Sequence, residues 1–217
     1  MRLIVIGAPG AGKGTQAKIL AAHFNARHVS TGDLLREHIE AGDEIGCRVA
    51  EIMNRGQLVP DDIVVELIRK DVESGNFIFD GFPRTIAQAQ ILDEMLMRLR
   101  LPLDRVIYVT ISDDIIIERM AGRQTCLNCG AIYHVLHNPA SVPWVCDKCG
   151  NELIVREDDS APVVKRRLDN YYGMTEPIIE HYRNKGLVYE ISGNQPIDKI
   201  TESIVAELEG GSGSDYN

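Results

Sequence analysis

Two hydrophobic rhythms alternate along this chain. Short runs rich in apolar residues occupy 2–6, 76–80, 105–111 and 187–191 and read as strands, and residues 27–30 form a further short strand candidate. The run at 105–111, Arg-Val-Ile-Tyr-Val-Thr-Ile, is the clearest, being β-branched nearly throughout. Between these runs, apolar residues recur every three or four positions, which predicts helices near 13–24, 31–39, 44–54, 61–74, 85–98, 113–121 and 197–209. One more helical pattern begins near Pro162 and passes through Tyr171, with a kink expected at Pro177 and an end at Gly186. Strands alternating with helices predict an α/β fold, an open parallel sheet with helices on both faces. Ligands of such a sheet gather at the carboxyl ends of its strands, where Ser30, Thr31 and Asp80 fall.

Two stretches break the alternation. Residues 30–59 read as a small helical insert, and at 122–159 helical patterning stops while cysteines, glycines, prolines and the single tryptophan appear. The core is then assembled from residues 1–29, 60–121 and 160–209, and the Gly/Ser-rich residues 210–217 have the composition of a flexible tail.

The first strand leads into Gly7-Ala-Pro-Gly-Ala-Gly-Lys-Gly-Thr15 and then a helix, the context a phosphate-binding loop requires. Gly7, Gly10 and Gly12 let the backbone curl with its N–H groups inward, the helix adds the positive end of its dipole, and Lys13 offers an ammonium to the outer phosphates. The expected guest is a nucleoside triphosphate. Gly14 stands where a metal-binding Ser or Thr is usual, and the hydroxyl comes one residue later, at Thr15.

Composition narrows the partners. The chain is 44% hydrophobic and 25% charged, as globular proteins are, and its net charge of -9 argues against general nucleic-acid or anionic-membrane binding. A polyanion must therefore be met in a local basic pocket. No apolar run approaches the roughly 18 to 20 residues that span a bilayer, so a cytoplasmic protein is expected.

Four of the five cysteines form the pattern Cys126-x2-Cys129-x16-Cys146-x2-Cys149, the spacing of a closed structural zinc site. Its role is to hold together an insert too small for a core of its own. His134 and His137 lie between the pairs as substitute ligands, but the thiols already complete the set; cobalt and iron remain open as the metal, and Cys47 reads as a small packed or unreactive residue, not a nucleophile. Asp80, at a strand end beside the loop, is a candidate for Mg²⁺ directly or through water, and Asp33 a weaker one because a helix N-terminus already explains it. Arg36, Arg84, Arg119, Arg123, Arg156 and Arg167 are candidate clamps for charge on a transferring phosphoryl group. Arg119 and Arg123 would share a face if the helix at 113–121 extended that far; Pro162 argues against one helix carrying both Arg156 and Arg167.

These stretches together resemble the adenylate kinases, in their long form with a zinc-bearing lid. The resemblance covers nearly all of residues 1–209 and rests on the glycine loop, Ser30-Thr-Gly-Asp-Leu-Leu-Arg36, Gly56-Gln-Leu-Val-Pro60, Asp80-Gly-Phe-Pro-Arg-Thr85, Gly122-Arg123, the cysteine pairs, Arg156 and Arg167. The family's loop also carries glycine at position 14. The resemblance implies a P-loop nucleoside monophosphate kinase fold, with a five-stranded parallel sheet and two mobile inserts: an AMP-binding segment at 30–59 and a lid at 122–159. It implies reversible Mg-dependent transfer of a phosphoryl group from ATP to AMP, giving two ADP, by a monomer. ATP would be held by Gly10, Ala11, Gly12, Lys13, Gly14 and Thr15, with Arg123 on its phosphates, Arg119 against its adenine, and backbone near Ile132, Tyr133 and Gln195. AMP would meet Thr31, Arg36, Gln57, Leu58, Val59, Gly81, Phe82, Pro83, Arg84 and Gln88. Arg156 and Arg167 would serve the AMP side and the transferring group, making Lys13, Arg84, Arg123, Arg156 and Arg167 the catalytic set. Asp80 and Asp33 would organise magnesium waters, and Asp158 and Asp159 match the acidic pair at the lid exit. The connection from Pro60 to Asp80 is shorter than in many relatives. Three rivals stand beside this: a kinase for another nucleoside monophosphate, a zinc-ribbon nucleic-acid binder with an ATP-driven switch, and an ATP-binding scaffold without transfer activity.

Overall fold

The computed structural model describes residues 1–210; the expected tail lies outside the described residues except for Gly210, which closes the last helix. In chain order the elements are β1 (Arg2–Gly7), α1 (Lys13–His23), β2 (Arg27–Ser30), α2 (Thr31–Ala41), α3 (Glu44–Asn54), α4 (Asp61–Ser74), β3 (Phe77–Asp80), α5 (Ile86–Leu99), β4 (Arg105–Thr110) and α6 (Asp113–Ala121). Then come β5 (Arg123–Cys126), β6 (Ile132–His134), β7 (Leu153–Ile154), α7 (Ala161–Asn170), α8 (Pro177–Arg183), β8 (Val188–Ser192) and α9 (Ile197–Gly210). Five strands form one parallel sheet in the order β2-β3-β1-β4-β8.

Side-chain alternation along β1 divides the apolar residues between the two faces of this sheet. Ile4 and Ile6 join Phe77, Phe79, Leu92 and Val106 in one core, while Leu3 and Val5 join Leu20, Ile78, Ile107 and Ile204 in the other. Register then decides what the sheet presents. Ser30 pairs with Asp80 across β2 and β3, and Asp80 pairs with Val5 across β3 and β1, so the carboxylate stands at the strand ends next to the glycine loop.

Polar caps fix where the helices start. Ser30 accepts from the Asp33 N–H at 3.2 Å, Asp43 from Gly46 at 2.8 Å and Thr85 from Gln88 at 3.1 Å, each bond contributing about 1 kcal/mol. Helices α2 and α3 cross so tightly that a Cβ on Gly46 would lie 2.0 Å from the His38 carbonyl oxygen. Gly46→Ala is therefore expected to cost about 2 kcal/mol or more, as an overpacked contact with backbone does, and to lower the urea midpoint accordingly.

The second insert forms a three-stranded antiparallel sheet, β6-β5-β7, that hydrophobic spacing did not reveal. Its buried apolar cluster is only Cys126, Ala131, Tyr133, Cys146 and Leu153. The long helix expected to kink at Pro177 is broken earlier, by a π turn over Tyr171–Thr175 in which the Glu176 N–H reaches the Tyr171 carbonyl at 2.8 Å. Proline lacks an N–H and its ring collides with the carbonyl four residues back, so the chain widens a turn ahead of it. Cys47, expected to be packed or unreactive, is exposed and so is not packed. Helix α6 ends at Ala121, so Arg123 opens β5 and does not share a helical face with Arg119. Among the described residues no helix is long and apolar enough to cross a membrane.

Candidate active site

A cavity of about 850 Å³ runs along the carboxyl ends of the strands, from the glycine loop and α6 at one end to α2 and α3 at the other. Eight basic side chains and four acidic ones line it, a local excess of positive charge in a chain whose net charge is -9. That is the basic pocket a polyanion requires.

The glycine loop closes against Asp80. A Cβ on Gly14 would come 2.9 Å from the Asp80 carboxylate, so the residue type that seemed out of place at position 14 is the one that fits. Lys13 donates to the Ala8 carbonyl at 2.7 Å. Burial lowers its pKa to about 7 from 10.5; Asp80 opposes this, and Arg84, Arg167 and Arg123 add to it. Burial would raise Asp80, yet the neighbouring His28 ring and the Lys13 charge hold it below the usual carboxylate range. His28, which belongs to no sequence motif, has its Nε2 3.9 Å from Asp80. Its signal was positional: it lies two residues before the Ser30 that pairs with Asp80.

The guanidiniums converge from separate elements. Arg123 of β5 donates to the fully buried Asp159 from Nε at 2.7 Å and also from Nη2, and Arg167 of α7 reaches the same carboxylate at 3.1 Å and Asp158 at 2.8 Å. Arg36 contacts Asp33 at 2.6 Å, and Arg156 lies 3.8 Å from the same oxygen while donating to Thr125 at 3.0 Å. Arg84 donates from Nε to the Gly81 carbonyl at 2.7 Å. Burial, then the like charge of Arg167, depresses Arg84 to about 10, while burial and the charges of Arg36 and Arg123 do the same to Arg156. Cations crowded in this way are stabilised by an arriving anion.

Arg119 donates to the Gly193 carbonyl at 3.0 Å beside Gln195, and Ile132 and Tyr133 line the same end of the cavity. Thr31, Gln57, Leu58, Val59, Gly81 and Gln88 line the other end. Two residues are not brought in. Phe82 is 1% exposed and packs edge-on against Phe79 in the core, and Pro83 faces a cavity of about 70 Å³ behind the loop.

The sulfur atoms of Cys126, Cys129, Cys146 and Cys149 all lie within 4.8 Å of one another, with Cys126 to Cys149 at 3.4 Å and Cys129 to Cys146 at 3.5 Å. A tetrahedral zinc with Zn–S bonds near 2.3 Å has S–S edges of about 3.8 Å, so the four thiols fit a structural zinc site. Burial works against a Cys146 thiolate, but the Tyr133 hydroxyl and nearby backbone N–H groups win and bring its pKa to about 6. Neither histidine between the pairs takes part: His134 Nδ1 accepts from the Leu136 and His137 N–H groups, and His137 Nε2 lies 2.8 Å from Glu118. The insert also touches the core where Lys18 donates to the Gly130 carbonyl at 2.5 Å.

A family model described as adenylate kinase matches residues 5–187. Adenylate kinase of Caldicellulosiruptor bescii is 46% identical over 213 residues, covering 96% of this chain and 99% of that protein. Adenylate kinase of Lachnospira eligens is 46% identical over 212 residues, covering 96% and 100%, and that of Archaeoglobus fulgidus 44% over 214, covering 96% and 98%. Agreement of that extent, running through the core and both inserts alike, makes this chain a member of the adenylate kinase family.

Proposed function

We propose that the chain transfers the terminal phosphoryl group of Mg-ATP to AMP, yielding two ADP, and so balances and salvages adenine nucleotides. The observation that carries this reading is one continuous cavity with a phosphate loop at one end, a second seat at the other, and guanidiniums between them. In this reading ATP lies on Gly10 to Thr15, with Arg119 against its base, and AMP on Thr31, Arg36, Gln57 to Val59, Gly81, Arg84 and Gln88. Lys13, Arg84, Arg123, Arg156 and Arg167 spread over the charge of the transferring group, and the attacking oxygen is already anionic because the acceptor is a phosphate. Alignment does the rest, since phosphoryl transfer requires no covalent enzyme intermediate. Asp80 and Asp33 would hold magnesium waters, and the ion would supply positive charge to neutralise the phosphates.

Segments 30–59 and 122–159 close over the two nucleotides and exclude water that would otherwise accept the phosphoryl group. The working unit is a cytoplasmic monomer. A coupled assay of ADP formation, run with and without AMP, tests the activity. Formation of ADP only with AMP supports it; ADP appearing at the same rate without AMP, or faster with UMP, CMP or GMP, overturns it.

Lys13 gives a pH dependence of known sign. Free, it is half-neutral near pH 7; a bound triphosphate favours the ammonium and raises its pKa, so binding above pH 7 takes up a proton. Triphosphate affinity is therefore expected to fall as pH rises from about 7 to 9. Calorimetry in buffers of different ionisation enthalpy should record proton uptake that Lys13→Met abolishes.

A further inference from the structure

Gln88 is 1% exposed, and its amide is held from both sides. Its Oε1 accepts the Arg84 backbone N–H at 2.7 Å, and its Nε2 donates to Asp61 Oδ1 at 2.7 Å. The other oxygen of Asp61 accepts the Thr85 hydroxyl at 3.1 Å, and the same hydroxyl caps α5 by accepting from the Gln88 N–H. An amide turned over would set its NH₂ against the Arg84 N–H and its carbonyl against a carboxylate. The orientation of Gln88 is thus dictated by its partners.

The same chemistry leaves one N–H and one oxygen lone pair of this amide uncommitted, on a side chain that lines the AMP end of the cavity. A freely turning amide is ambivalent. It can meet the acceptor N1 and 6-amino donor of adenine or, reversed, the N1–H donor and 6-oxo acceptor of hypoxanthine. A fixed amide can meet only one of these. We infer that Asp61, assisted by Thr85, is a specificity-determining positioning residue that locks Gln88 in the adenine-reading orientation and so sets discrimination against 6-oxo purine monophosphates. This rests on the reading of the second seat as an AMP site. Asp61 itself is the first residue of α4, where an acid is ordinarily explained by the helix dipole.

The test is the ratio of kcat/KM for AMP to that for IMP, with ATP as donor, in the wild type, Asp61→Ala, Asp61→Asn and Asp62→Ala. Asp62 is exposed in the same helical turn and bears the same charge, so its variant controls for the dipole. The ratio should fall by about 10-fold or more in Asp61→Ala, and by about 3-fold in Asp61→Asn, whose neutral amide is a weaker and reversible anchor. It should stay at the wild-type value in Asp62→Ala. The loss should lie in KM for AMP, with KM for ATP unchanged. Should Asp61→Ala not fold, the isosteric Asp61→Asn decides alone. A wild-type ratio in every Asp61 variant that folds, or an equal fall in Asp62→Ala, overturns the inference. A wild type that does not phosphorylate AMP instead removes the underlying reading.

Discussion

Lys13→Met is expected to lower kcat/KM by about 10³-fold while leaving the melting temperature unchanged or higher. Removing one preorganised donor to developing charge costs about 10² to 10³, and removing a cation that sits on the transferring phosphoryl group costs about 10³ to 10⁵. Lys13 is both. Stability should change little or rise because burial already disfavours this ammonium, whose hydrogen-bond acceptor among the described residues is the Ala8 carbonyl, and the like charges of three guanidiniums oppose the favourable charge of Asp80. Methionine keeps the apolar stem and removes the buried charge. Steady-state kinetics and a thermal melt on the same preparation make the check. A variant within 10-fold of wild type would show that Lys13 does not meet the reacting phosphates.

Chelating the cysteine-bound metal is expected to unfold residues 122–159, leave the two large cores intact, and reduce transfer by about 10²-fold or more. The cluster of Cys126, Ala131, Tyr133, Cys146 and Leu153 is far too small to offset the chain entropy of the insert, so metal binding must supply its folding free energy. Activity follows because Arg123 and Arg156 lie within this segment, near its two ends, and a misplacement of about 1 Å at a reacting group costs on the order of 10²-fold. Hydrogen exchange should locate lost protection in 122–159 alone. Reloading with cobalt should restore kcat, since the four thiols leave no coordination position for substrate. Loss of transfer with protection intact would instead place the metal in the bond-making step.

The elements were legible in the sequence because their signals are local. The ends of α3 and α4 follow from Asp43, Pro60 and Gly75, and β4 from its β-branched run. Asp80 could be placed by strand order alone. What stayed hidden depends on contacts across the fold. No local pattern distinguishes Asp61 as an anchor for Gln88 from an acid at a helix start, or reveals that Phe82 turns into the core while Gly81 and Arg84 face the cavity. The small strands of the second insert were hidden because runs of two to four residues are too short to show a period.

The π turn over Tyr171–Thr175 has a steric logic of its own. One additional residue in a turn rotates everything after it by about 100° relative to everything before. Arg166, Arg167 and Asn170 ahead of the turn are thereby free to reach toward the first insert and the acidic pair, while Ile178, Ile179 and Tyr182 beyond it point into the sheet. A single rod with an uninterrupted helical repeat would have to surrender one of these alignments. The phase slip lets one polypeptide segment behave as a two-sided gear, engaged with the first insert and the acidic pair on one flank and with the frame on the other.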